Sequence, residues 1–221
     1  MNSFLELTAS DNHKFSAYLA QPDKKPKAGL VILQEIFGVN THIQQVADLF
    51  SNKGYLVIAP SLFDREEKNV QLSYDEKGVS KGRKLKDLCD NEALKDIEAS
   101  ISLVASAGKV GVIGYCWGGS LAWRIACQSN HLSGSVSYYG GDIPNLKHYN
   151  PKCSFLSHFG ELDQGIPIEN VNIFKQFKPE VEVFTYPADH GFNCNHRKQY
   201  NEISSKVALD RTLKFLEKNL G

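Results

Sequence analysis

The chain has 221 residues, and its 25 Lys and Arg balance 25 Asp and Glu, so the formal net charge is zero. That length suits one α/β domain spanning residues 1–221, with a core large enough to need no disulfide or metal staple. The even charge gives no footprint for nucleic acid or an anionic membrane; the opening MNSFLELTASDNHKF lacks a signal peptide's basic head and apolar run, and no apolar run reaches the ~20 residues of a membrane span.

In chain order, SFLELTAS and KFSAYLA read as a hairpin that turns at Asp11 and Asn12. GLVILQ (29–34) is a fully apolar strand. Ile43, Val46, Ala47 and Phe50 recur at helical spacing, and Gly54 stops that helix. YLVIAP (55–60) is the next buried strand. Residues 61 to about 90 are charged and read as a surface excursion with a short helix. Leu94, Ile97, Ile101 and Val104 mark a helix ending near Gly108, KVGVIG is a strand, and a helix runs on from about Gly118. GSVSYYG, SFLSHFG and VEVFTYP supply further strands, with a helix carrying Val171, Phe174 and Phe177 between the last two. Leu209, Leu213, Leu216 and Leu220 place a final helix. Strands alternating with helices predict an α/β fold, a mostly parallel sheet with helices on both faces.

The five cysteines are Cys89, Cys116, Cys127, Cys153 and Cys194, an odd number with no CxxC pair. That pattern argues against a zinc ribbon or a thioredoxin-type site. Free thiols in such a chain predict a reducing, cytoplasmic location.

Gly114-Tyr115-Cys116-Trp117-Gly118 stands where the strand KVGVIG gives way to a helix. It matches the nucleophile elbow G-x-S-x-G with cysteine in place of serine. The turn is tight enough that side chains two residues to either side of the nucleophile would clash. Strained dihedrals at Cys116 would lift its sulfur clear of the sheet edge. The Trp117 N–H, at the start of a helix, is an unpaired donor for a developing oxyanion. The alternative is an inert core thiol. Neither G-x-G-x-x-G nor a phosphatase arginine six positions after the thiol is present: position 122 is Ala122, and Arg124 comes too late.

A thiol nucleophile needs a base, and the base needs an orienting group. GELDQ offers Asp163 after one strand and YPADHGF offers His190 after another, in the order nucleophile, acid, histidine. Glu161 competes with Asp163. His158 lies inside a strand as a packed residue, His131 and His148 lie in polar loops, and His196 is near enough to His190 to compete. HGFNCNH gathers His190, Cys194 and His196, but without a second ligand pair the expectation is no metal and no cofactor.

The motifs QEIFGVN (34–40), GYCWGG (114–119), YYGG (138–141), GELD (160–163) and DHGFNC (189–194) resemble those of the dienelactone hydrolase family. The resemblance covers nearly the whole chain and implies the α/β-hydrolase fold. It implies Cys116 as nucleophile, His190 as general base and acid, and Asp163 as its orienter. It also implies that Glu35 sits beside the thiol and helps deprotonate it, and that the N–H groups of Ile36 and Trp117 form the oxyanion hole. Family members grip a substrate carboxylate with arginines. Here Lys77, Lys81, Arg83 and Lys84 offer no clear match to the first, and Cys194 stands where a second belongs, with Arg197 just beyond. Arg83 and Arg197 are the candidates, and Tyr138, with Trp117 and Tyr139, is expected to line an apolar pocket, packing being the alternative. The expected activity is hydrolysis of activated esters or enol-lactones through a thioester. A thioesterase or acyl-transfer enzyme on the same residues and a silent binding module are the alternatives. The expected partner is a small molecule, and the expected assembly a monomer or weak dimer.

Overall fold

The computed structural model describes residues 2–221. Strands β1 (Ser3–Thr8) and β2 (Lys14–Ala20) form the hairpin, and Asn12 takes a positive φ of 65° at its turn. Asparagine tolerates that conformation because its short polar side chain bonds locally. Six further strands follow: β3 (Ala28–Leu33), β4 (Tyr55–Pro60), β5 (Val110–Tyr115), β6 (Gly134–Tyr138), β7 (Ser154–Gly160) and β8 (Glu182–Tyr186). All join one eight-stranded sheet in the order β1-β2-β4-β3-β5-β6-β7-β8. Pairing is antiparallel at β1–β2 and β2–β4 and parallel from β4 to β8.

The helices are α1 (Thr41–Asn52), α2 (Glu76–Cys89), α3 (Ala93–Val104), α4 (Trp117–Gln128), α5 (Ile168–Phe177) and α6 (Glu202–Leu220). Strand side chains alternate between two cores, as a pleat with period two requires. Leu30, Ile32, Ile113 and Tyr115 face one core, with Ile43, Val46 and Phe50 of α1 and Ala208, Phe215 and Leu216 of α6. Val31, Leu33, Val110 and Val112 face the other, with Leu94, Ile97 and Ile101 of α3 and Leu121, Ala122 and Ile125 of α4. β3 and β5 are buried on both faces along their length, which explains their unbroken apolar sequences.

The charged stretch 61–90 holds more order than its sequence suggests. A 3₁₀ turn at Leu62–Arg65 leads to the fourteen-residue α2. Asp75 caps α2 by accepting a 2.7 Å hydrogen bond from the Gly78 N–H, a common way of satisfying a first-turn donor. Arg65 anchors the turn with two bonds, 2.7 and 2.9 Å, to the fully buried Asp96 of α3. Among the described residues no helix is long and apolar enough to cross a membrane.

Candidate active site

Cys116 stands between β5 and α4 with φ 55° and ψ −116°. The turn closes only because the residues two positions before and after Cys116 lack side chains: a Cβ on Gly114 would lie 1.9 Å from the Gly118 carbonyl oxygen. The Cys116 N–H donates to the Tyr138 carbonyl at 3.0 Å and the Gly118 N–H donates to the Gln34 carbonyl at 3.0 Å. These bonds pin the bend to the ends of the two neighbouring strands. The sulfur is half-buried at the carboxyl edge of the parallel strands, where open α/β sheets bind ligands.

Two loops meet it there. The Glu161 N–H donates to the Tyr186 carbonyl and the Leu162 N–H to the Ala188 carbonyl, tying the loop after β7 to the loop after β8. Asp163 and His190 therefore converge although 27 residues separate them. His190 Nδ1 lies 2.6 Å from Asp163 Oδ2, and Nε2 lies 3.2 Å from Cys116 Sγ. The second Asp163 oxygen accepts from the Gly165 N–H at 2.8 Å. Burial works against a charged imidazole at His190. The adjacent Cys116 sulfur and then the Asp163 carboxylate more than offset it, and the ring pKa rises well above its ordinary value. Burial pushes the thiols of Cys127 and Cys194 up to about 11 and those of Cys89 and Cys153 up to about 12.

Cys116 and His190 open on a cavity of about 440 Å³ also lined by Ile36, Phe37, Val79, Arg83, Lys86, Trp117 and Arg197. Trp117 is fixed by stacking on Phe63 and by donating a 2.6 Å bond from Nε1 to Asp90. Glu35, buried at the end of β3, accepts a 3.0 Å bond from Arg197 Nη1 at Oε1. Burial disfavours the Arg197 charge, but Glu35 outweighs it and holds the guanidinium protonated.

This site sits on a chain with close relatives. The family model for dienelactone hydrolases matches residues 15–220. A carboxymethylenebutenolidase of Pseudomonas putida is 31% identical over 229 residues, covering 96% of this chain and 94% of its own. The chain belongs to the dienelactone hydrolase family. A Klebsiella pneumoniae crystal structure assigned to the dienelactone hydrolases superposes with a TM-score of 0.84 at 27% identity, covering 98% of this chain and 99% of that one. A Synechocystis protein assigned as a carboxymethylenebutenolidase is 30% identical over 233 residues, covering 96% of this chain and 94% of its own. The protein is thus a hydrolase of the dienelactone hydrolase type, on the α/β-hydrolase fold.

In this family member, Cys116, His190, Ile36, Trp117, Arg83 and Arg197 line one cavity, while Asp163 and Glu35 stand behind it, in contact with His190 and Arg197. Tyr138 differs from the expectation from sequence: it lines not this cavity but a separate one of about 360 Å³ that it shares with His42 and Tyr115. Its ring is buried at 1% exposure, stacked on Tyr115 at 4.8 Å, and its hydroxyl bonds Thr212 Oγ1 at 2.7 Å. The residue points into the core on the α6 side of the sheet because β6 alternates its side chains. Tyr139 is buried as well. Glu161 turns away from His190 and accepts from the Thr185 hydroxyl at 2.7 Å. His158 is a packed residue held by Tyr186 and Thr212. His196 bonds Gln45 Oε1 at 3.0 Å. Cys194 lies apart from His190 and instead approaches Glu35 and His42.

Several contributors were missed from sequence, among them the carboxylates Asp87 and Asp142. Lys86 and Val79 reach the cavity with Arg83, so one face of α2 forms its wall. The spacing 79, 83, 86 is helical and was the available signal. Lys77, Lys81 and Lys84 line a separate groove on α2, and Lys81 pairs with Glu67.

Proposed function

We propose that Cys116, His190 and Asp163 act as a nucleophilic triad that cleaves activated esters or enol-lactones through a thioester. The contact chain Cys116 Sγ–His190–Asp163, at 3.2 and 2.6 Å, carries this reading. Asp163 orients the imidazole and stabilises its charged form, so His190 takes the thiol proton and frees the thiolate for attack. The thiolate attacks the carbonyl carbon, a C–S bond forms, and the carbonyl electron pair moves to oxygen. The N–H groups of Ile36 and Trp117 receive that oxyanion. The Trp117 N–H lies in the first turn of α4, where it has no intrahelical acceptor. Collapse breaks the C–O bond, and His190 gives its proton to the leaving enolate or alkoxide. Water then attacks the thioester, His190 takes its proton, and the thiolate leaves.

Glu35 does not form the hydrogen bond to the Cys116 thiol that the sequence led us to expect: its Oε1 bonds Arg197 and its Oε2 has no hydrogen-bond partner among the described residues, so it acts on the site through Arg197, whose guanidinium it holds at the cavity wall. Arg197 and Lys86 line the cavity but are paired with Glu35 and Asp87, and Asp142 lies on the same lining, so Arg83, which has no ion-pair partner among the described residues, is the group offered to a substrate carboxylate. A lactone bearing a free carboxylate fits both Arg83 and the nucleophile, in line with the carboxymethylenebutenolidase named among the relatives. The five free thiols favour a reducing compartment such as the cytoplasm.

The test is turnover of p-nitrophenyl acetate, an enol-lactone and a thioester, before and after alkylation with one equivalent of iodoacetamide. Cys116→Ala abolishes turnover, and His190→Ala lowers it by roughly 10³-fold or more, since triad members act as a unit. Turnover that survives stoichiometric alkylation of Cys116 overturns the mechanism.

A further inference from the structure

Glu35 spends one carboxylate oxygen, Oε1, on Arg197. The other, Oε2, is buried and, among the described residues, has no hydrogen-bond partner. Both ring nitrogens of His42, in the first turn of α1, are orphaned in the same way. His42 is 3% exposed, and the Asn195 amide approaches its ring without reaching hydrogen-bond geometry. Beside them lies the Cys194 thiol, with no exposed surface. One carboxylate oxygen, one imidazole nitrogen and this sulfur all lie within 4.8 Å of one another.

Buried polar atoms are rarely left unpaired, and here two unpaired side chains converge on the same point as a thiol. Water satisfies a carboxylate and an imidazole, but a sulfur is a poor partner for it. Carboxylate oxygen, imidazole nitrogen and thiolate sulfur together are the donor set of zinc, and three protein ligands with one open position is a common zinc arrangement. From this geometry we infer that Glu35, His42 and Cys194 form a binding site for a zinc-class divalent cation, and that filling it inhibits the enzyme by engaging Glu35.

Tetrahedral zinc places its donors about 3.5 Å apart, so these three close by roughly an ångström on binding. His42 and the Glu35 Oε2 oxygen break no hydrogen bond in doing so. The Cys194 thiol gives its proton to solvent as the metal–sulfur bond forms, which makes binding stronger at higher pH. Carboxylate and thiolate then balance the two positive charges. Arg197 stays on Oε1 and opposes the cation, which limits the affinity. The ion has its own way in: His42 lines a second cavity, of about 360 Å³, distinct from the one that holds Cys116. The His196 ring stands 5.7 Å from the His42 ring.

The binding claim stands apart from the proposed role of Glu35 in holding Arg197; the inhibition claim rests on it. The experiment separates them. Cys116→Ser protein, stripped with chelator, is titrated with cobalt(II) as a spectroscopic probe and zinc as competitor. One equivalent of cobalt gives a thiolate-to-metal charge-transfer band that zinc removes. The band is lost on adding Cys194→Ser, and binding weakens at least ~10-fold on adding His42→Gln. Circular dichroism and urea midpoints of the metal-free variants establish that they fold, and His42→Gln carries the test if the cysteine variant does not. No band in Cys116→Ser, or a band unchanged by both further substitutions, overturns the site. In otherwise unmodified enzyme, zinc inhibits ester turnover reversibly, and His42→Gln raises the inhibitory concentration ~10-fold. Equal inhibition of both proteins overturns the Glu35 route and leaves the Cys116–His190 pair as the target. If the unmodified enzyme has no turnover to inhibit, the catalytic reading fails while the cobalt band still decides the site.

Discussion

At the scale of single residues, two acids two positions apart have opposite orientations. Asp163 is buried, contacts His190 Nδ1 and is braced by the Gly165 N–H, whereas Glu161 is exposed and bonds Thr185. Asp163→Asn replaces a carboxylate with an amide that cannot hold the imidazolium or fix its tautomer. It is expected to lower kcat by roughly 10³- to 10⁴-fold, while Glu161→Gln stays within about twofold, since surface changes away from the site act weakly. Steady-state kinetics of the two variants on one ester decides between them, and a large loss in Glu161→Gln with little in Asp163→Asn reverses the assignment. The sequence had left both acids open because each follows the same strand. Only the direction of the chain after Gly160 separates them.

At the scale of elements, the bend between β5 and α4 is the part on which the site depends. Two backbone segments pass so close that no side chain fits at Gly114, and the helix start that carries the Trp117 N–H is held by bonds to Gln34, just past β3, and Tyr138 of β6. Gly114→Ala would push a Cβ to 1.9 Å from a backbone oxygen, which no rotamer change relieves. A loss of about 3 kcal/mol or more in folding stability is expected, at the upper end for overpacking. At Gly141 the nearest atom to an added Cβ is 4.0 Å away, so Gly141→Ala is expected to stay within about 0.5 kcal/mol. Urea denaturation of both variants measures the difference, and equal midpoints would remove the steric account of the elbow. The element that sequence described least well is α2. Its face is short, its apolar residues are few, and its mean composition is charged, so periodicity gave little signal. Its Arg83 and Lys86 line the cavity, a placement that shows only when the opposite wall is known.

At the scale of the whole molecule, the sheet encloses a polar network that ties its strands to α6. His158 on β7 bonds the Tyr186 hydroxyl on β8 at 2.8 Å and Thr212 Oγ1 on α6 at 3.0 Å, and Thr212 also meets Tyr138 on β6. Burial, with Arg211 adding repulsion, pushes the His158 pKa down from 6.5 to about 3. Between those pH values the unfolded chain takes up a proton that the folded chain refuses. The contribution of His158 is therefore complete above about pH 6.5 and is lost as pH falls toward 3, by about 1.4 kcal/mol per pH unit. His158→Gln should flatten the acid side of the stability profile by about one proton, whatever it does to stability at neutral pH. Urea midpoints followed from about pH 7 down to pH 4 test this, and an unchanged slope would show that His158 is charged in the folded protein.

The sequence by itself determined the order of strands and helices, the elbow at Cys116 and the succession Cys116, Asp163, His190, because local propensity, glycine spacing and apolar runs are written residue by residue. It also carried the family motifs. Tertiary structure decided which side of a strand each residue faces in its neighbours' company. It sent Tyr138 into the core, turned Glu161 outward, brought Arg83 and Lys86 to the cavity, and moved Cys194 from His190 to Glu35 and His42. These outcomes depend on distances between segments far apart in the chain, and such distances are set by sheet register and packing, which no local pattern encodes.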